Sequence, residues 1–122
     1  MVALKKEKTK YLTLIELSKI IRQVADVITK CEDLMLIAIS NNVDMKKEYL
    51  FITSDIYCNS SILGNLLIDK YTNARQQKED KVTFDDKESS KIKIVLDYMK
   101  ELEDVQKSIG RRMSNGQKYK FN

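Results

Sequence analysis

The sequence predicts an all-α fold, a bundle of three long antiparallel helices, and three observations lead there. Apolar residues recur at alternating steps of three and four from Leu14 to Ala38, and the same spacing returns from Ile92 to Ile109. The 122 residues include no proline and only three glycines, Gly64, Gly110 and Gly116, which is little punctuation for a multi-stranded fold. A chain of this length buries roughly two-thirds of its unfolded surface, enough for one core without disulfide or metal. An α/β arrangement with a short strand at 49–54 is the alternative. The chain divides into a basic arm over 1–10, a helical bundle domain over 11–110 and a basic tail over 111–122.

The first helix carries the strongest pattern. Leu14, Leu17, Ile21, Val24, Ile28, Cys31, Met35 and Ala38 occupy successive a and d positions of a heptad, and Ile20, Val27 and Leu34 widen that seam into a face broad enough for two neighbours. Thr13 and Glu16 form a capping box, in which each side chain accepts from the other residue's orphan amide, so the helix is expected to start there. Its end is expected at Ser40 to Asn42, where the asparagines tolerate a left-handed turn, and Asp44 is placed to cap the next segment.

The middle segment has two readings. As a helix from Met45 its seam is Met45, Tyr49, Ile52, Ile56, Asn59, Leu63 and Leu66, with Asn59 the one polar member. As strand and loop, Tyr49–Thr53 is a β-rich run and Asn59 to Ser61 a loop, followed by a helix from Ile62 to about Gln77. The helix is preferred, because an isolated strand has no partner within the chain. Gln76 to Lys87 is a polar connection ending in a second cap-compatible pair, Asp85 and Glu88. The third helix has Ile92, Val95, Met99, Leu102 and Ile109 on its seam, Tyr98 and Val105 beside it and Gln106 interrupting it. Gly110 is the expected stop, with Arg111 and Arg112 complementing the helix dipole. The combined apolar faces are generous for three helices, which predicts self-association or a partner helix, with Leu17, Ile21, Val24, Ile28, Val95, Met99 and Leu102 as the interaction seam.

Composition narrows the chemistry. With no histidine, the commonest general base, the Ser-His and Cys-His nucleophile pairs and the usual zinc sets are all missing. Asp85, Asp86 and Glu88 lack the ligand number and glycine of a calcium loop, and Ser60, Ser61 and Gly64 lack the spacing and lysine of a phosphate loop. The latter group reads as a loop or as a small-residue contact between helices. No catalytic residue, metal or cofactor is expected, and Cys31 and Cys58 read as ordinary core or near-core residues, a disulfide between them being the lesser reading. The longest apolar run, Leu34 to Ile39, is far short of the ~18 residues of a membrane span, and the lysine-rich start lacks a signal peptide's apolar stretch. A cytoplasmic protein is expected, without a membrane partner. The lysine-heavy, proline-free composition suits an AT-rich genome, as in many small phage, viral or low-GC bacterial proteins.

Charge is uneven. Lys5, Lys6, Lys8 and Lys10 against Glu7 leave the first ten residues at +3, and Arg111, Arg112, Lys118 and Lys120 put the tail at +4, while the whole chain is +4. The body is therefore mildly acidic between two basic ends. In the tail Lys118, Tyr119, Lys120 and Phe121, after a flexible Ser114, Asn115 and Gly116, interleave charge with rings; a disordered end is the first expectation for such a terminus, and the pattern also suits phosphates and stacked bases or, equally, a partner's pocket. The expected function is a non-enzymatic interaction or assembly protein, an adaptor or small subunit that binds itself or a protein partner; the alternative is a nucleic-acid-binding protein using its basic ends on phosphates.

One local likeness crosses the middle segment. Ile52, Thr53, Ser54, Asp55 and Asn65, after a long N-terminal helix, resemble the first strand and following loop of the rotary ATPase gamma subunit. The glycine-rich turn of that family is replaced here by Ile56 to Ser61. The resemblance implies a strand at Ile52–Asp55 and a role in a motor stalk.

Overall fold

The structure, a computed structural model, describes residues 10–40 and 51–120, and their side chains except those of Ala38, Ser40 and 112–120. Asn41, Asn42, Asp44, Met45, Tyr49, Leu50, Phe121 and the arm as far as Thr9 lie outside the described residues. The order is β1 (Lys10–Thr13), α1 (Leu14–Ser40), a π-helical run (Phe51–Tyr57) that continues directly into α2 (Cys58–Gln76), β2 (Lys81–Phe84) and α3 (Asp86–Lys120). Three helices form the bundle and a two-stranded antiparallel sheet closes one end of it. No helix among the described residues is long and apolar enough to cross a membrane.

Both capping boxes form. The Thr13 amide donates to Glu16 Oε1 at 2.9 Å and the Glu16 amide to Thr13 Oγ1 at 3.1 Å. At α3 the Asp85 amide donates to Glu88 Oε1 at 3.0 Å and the Glu88 amide to Asp85 Oδ1 at 2.7 Å. Each cap follows a strand, so the sheet and both helix starts are tied together. Leu12 pairs with Val82 and Lys10 with Phe84, and the alternation of β2 turns Val82 and Phe84 inward. Four-residue strands are marginal alone, and burial of Val82 and Phe84 against the helices is what holds this pair. α1 and α3 both leave the sheet and α2 returns to it, giving an up-down-up bundle.

The core runs the length of α1. Leu17, Val24, Val27, Cys31 and Leu34 are buried, whereas Ile21, Ile28 and Met35, expected at the centre of the seam, pack partly buried at its flank. The buried line follows the widening residues because α1 lies between two helices and must serve both. From the other sides come Ile52, Ile56, Leu63, Leu67 and Ala74, and Val95, Leu102 and Ile109.

Four expectations need correction. Ile52–Asp55 is helical, so the strand at 49–54, and with it the strand implied by the gamma-subunit likeness, is absent from its described part. The buried line runs Ile52, Ile56, Ser60, Leu63 and Leu67, so Ser60 is buried where Asn59 was expected, while Leu63 and Leu67 face inward as expected and Leu66 is partly buried beside them. The polar connection after Gln76 contains β2, whose four-residue alternation is short enough to escape a periodicity reading. Gly110 does not end α3: no glycine has positive φ, and the helix continues through Gly110 and Gly116 to Lys120. The basic residues from Arg111 to Lys120 are thus part of the third helix.

Two local features predict stability changes. Helix α2 ends in a Schellman turn, with the Lys78 amide donating to the Arg75 carbonyl at 3.2 Å and the Glu79 amide to the Ala74 carbonyl at 2.8 Å. Lys78 holds the left-handed position of that turn, at φ 59°, where an L side chain is disfavoured. Lys78→Gly is expected to raise stability by about 1 kcal/mol, read as a higher urea midpoint at unchanged m-value. Ser60 and Gly64 form the small-residue contact on α1, where a methyl at Gly64 would stand 3.6 Å from Val24 Cγ1. Ser60 Oγ is fully buried without a hydrogen-bond partner. Ser60→Ala removes that desolvated hydroxyl and should stabilise by about 1 kcal/mol, or a few degrees in Tm.

Candidate interaction surface

The seven residues of the predicted seam come together inside the chain. Leu17, Val24, Val95 and Leu102 are buried, and Ile21, Ile28 and Met99 pack against them. They hold the three helices to one another. The outward apolar surface is a different set: Ile15, Leu36 and Ile39 on α1, Ile62 and Ile68 on α2, Ile94 on α3 and Tyr11 on β1 are all largely exposed.

Two of these flank a groove. α2 and α3 both pack on α1, and between them lies a cleft of about 330 Å³ lined by Asn59, Ile62, Leu63, Lys91, Ile94, Val95 and Tyr98. Leu63 and Val95 form its buried floor, and Ile62 and Ile94, 63% and 51% exposed, stand on opposite lips. Asn59 Nδ2 donates to Tyr98 Oη at 3.0 Å, closing one side and fixing the tyrosine ring. Exposed isoleucines on both walls of an apolar cleft leave water in contact with hydrocarbon that a partner's side chains can cover. A second cleft, about 240 Å³, opens between α1 and α3 beside Gln23, Asp26, Val27, Leu96 and Met99. Both of its walls belong to packed helices, and Gln23 and Asp26 make its rim polar.

The sheet end is fixed by Lys70. Its ammonium donates to the Thr83 carbonyl at 2.9 Å, lies 3.4 Å from Glu88 Oε1 and sits 4.9 Å from the centre of the Phe84 ring. α2 is thereby joined to β2 and to the cap of α3. Lys81 lies similarly over Tyr11 on the outer face of the sheet, at 4.6 Å.

Compared with known protein families, with curated proteins and with solved structures, the chain matches none. The geometry carries the functional reading alone.

Of the expected anion or partner contacts, Arg111 is exposed on α3, while Arg112, Lys118, Tyr119 and Lys120 share that helix's backbone. Beyond Asp104 the sequence has no acid, so Lys107 and these residues give α3 a basic end. Asp85 and Glu88 act as cap residues, and among the described residues no group of three or more His, Cys, Asp or Glu side chains is placed to hold a metal. Sequence reasoning missed Ile94, and the signal was its position: it falls off the stripe of Ile92, Val95, Met99 and Leu102, which marks it as an apolar residue facing away from the core.

The two thiols differ, and only Cys31 takes the core place expected of both. Cys58 is exposed and Cys31 buried, and burial, followed by the nearby Glu32 carboxylate, pushes the Cys31 thiol from 9.0 up to about 11. Well below pH 9 the thiol is neutral whether the chain is folded or not, and it has no effect on the pH dependence. Between pH 9 and 11 the unfolded chain ionises first, so stability should fall by on the order of 1.4 kcal/mol per pH unit from this group. Urea midpoints at pH 8 and pH 10 should separate by more in the native chain than in Cys31→Ala.

Proposed function

We propose that this protein is a non-enzymatic helical interaction protein, an adaptor or small subunit of a larger assembly, that engages its partner through the α2–α3 groove. The observation that carries the reading is the pair Ile62 and Ile94, exposed on either side of an apolar cleft whose floor is already packed. Rigid helices supply the walls, so little ordering opposes docking. A cytoplasmic setting suits the two free thiols. The test is capture by the full-length tagged chain after nuclease treatment, beside an Ile62→Ser/Ile94→Ser control. A partner, or a second copy, held by the native chain and lost by the control is expected; equal recovery by both overturns the groove's role.

A second reading rests on a separate observation, the acid-free basic end of α3. A helix bearing Lys107, Arg111, Arg112, Lys118 and Lys120 suits phosphates, and point-charge lysines favour binding without base readout. This reading expects affinity for a generic oligonucleotide that falls steeply with salt and is largely lost when residues 111–122 are removed. Affinity unchanged by that deletion overturns it.

A further inference from the structure

We propose that the groove's occupant is a second copy of this chain, docked about a two-fold axis that crosses the groove at right angles to α3. The inference rests on the interaction reading above and names its partner. The outward stripe of α3 reads Lys91, Ile94, Tyr98 and Glu101, at steps of three and four, so all four share one face. Lys91, Ile94 and Tyr98 line the groove, and Lys91 and Glu101 are both exposed. The stripe has a cation at one end, an anion at the other and apolar surface between.

Such an arrangement is self-complementary when two copies run antiparallel. The two-fold axis sets Lys91 of each copy against Glu101 of the other, and Ile94 of each against Tyr98 of the other, with Ile62 of α2 covered beside them. A parallel arrangement removes both cross-copy ion pairs. The α2 side of the groove, Asn59, Ile62 and Leu63, carries no charge, so α2 adds no preference and the direction is set by α3. The side chains that would close the contact are not needed in the monomer: Ile62 and Ile94 are more than half exposed, whereas Leu63 and Val95 behind them hold the core.

The face is modest. The stripe from Lys91 to Glu101 is eleven residues, roughly 16 Å of helix, and two adjacent helices give it a width of about 20 Å, so each copy buries on the order of 330 Å². That is below the ~800 Å² per partner of a standard interface, which predicts a dimer with a dissociation constant in the micromolar range.

The experiment is sedimentation equilibrium of the full chain from about 1 to about 500 μM, with four variants. Native chain should pass from monomer to dimer across this range. Ile62→Glu and Ile94→Glu should each stay monomeric at unchanged helical circular dichroism; both positions are exposed, and two variants guard against one that misfolds. Lys91→Glu should weaken the dimer about tenfold, because reversing one end sets acid against acid twice. Adding Glu101→Lys in the same chain should restore it to within about threefold of native, since the two-fold axis remakes both pairs with their signs exchanged. Rescue within one chain is the signature of a self-complementary face, which a different partner protein does not produce. A native chain monomeric to the top of the range overturns the proposal, and so does a dimer indifferent to Ile62→Glu and Ile94→Glu or a double reversal that stays weak. A monomeric chain that still captures a protein lost by Ile62→Ser/Ile94→Ser overturns self-association alone and leaves the interaction reading standing.

Discussion

Phe84→Ala is expected to lower the unfolding free energy by about 3–5 kcal/mol, among the largest effects of any single truncation in this chain. The ring is 2% exposed at the end of β2, and its loss leaves a void between the sheet and the helices. More than packing depends on it. Lys70 places its ammonium 4.9 Å from the ring centre while bonding the Thr83 carbonyl and approaching Glu88, so the aromatic face, a strand carbonyl and a helix cap share one cation. With alanine in place, Lys70 keeps its polar partners but loses the ring that covers it, and water reaches the junction of α2, β2 and α3. Thermal or urea unfolding at pH 7 measures the effect, and the Tm should fall by well over 10 °C. Thr83→Ala on the exposed side of the same strand should change stability by less than about 0.5 kcal/mol, because its contribution to Lys70 is a main-chain carbonyl that alanine retains. A Phe84→Ala loss below about 1 kcal/mol would mean that the sheet is peripheral and the bundle stands without it.

That junction is also where sequence reading failed, for a physical reason. The helices were legible because each carries its own information: a stripe at helical spacing, opened by a reciprocal cap at Thr13 and Glu16 or at Asp85 and Glu88. The sheet carries almost none locally. KVTF alternates over only four residues, and its partner KYLT is about seventy residues earlier, so neither reads as a strand until the helices bring them together. On α2 one position was hidden. Between Ile56 and Leu63 either Asn59 or Ser60 can take the inward place at helical spacing, and since both are small and polar the apolar pattern does not choose between them. Gly110 misled in the opposite direction. Glycine stops a helix when it turns left-handed, and where φ stays negative it is only a weak helix residue that the flanking turns tolerate. The candidate surface was less legible than the seam: the seam residues are buried or packed against the core, where α1 uses both sides of its face within the chain, while Ile62 and Ile94 fall off the apolar stripes that a periodicity reading follows.

Leu102→Ala separates those two roles. Leu102 is fully buried on α3, and truncation removes apolar contacts at the centre of the bundle, so a loss of about 2–5 kcal/mol is expected. The loss should be the same at low and high protein concentration, because the neighbours that close around Leu102 belong to its own chain. Ile94→Ser, two turns earlier on the same helix, should behave oppositely. Half exposed on the groove's lip, it should cost less than about 0.5 kcal/mol in dilute solution, where the side chain already meets water. At concentrations above the dimer's dissociation constant the native chain gains stability from association, and Ile94→Ser should forgo that gain. Denaturation midpoints of the three proteins at two concentrations, on either side of that constant, therefore read core and surface independently. If Leu102→Ala showed the concentration dependence instead, the seam would be an interface after all and the exposed isoleucines bystanders. The same helix then distinguishes fold from function by which face is cut: one face acts at every concentration, and the other acts only when a second molecule is present.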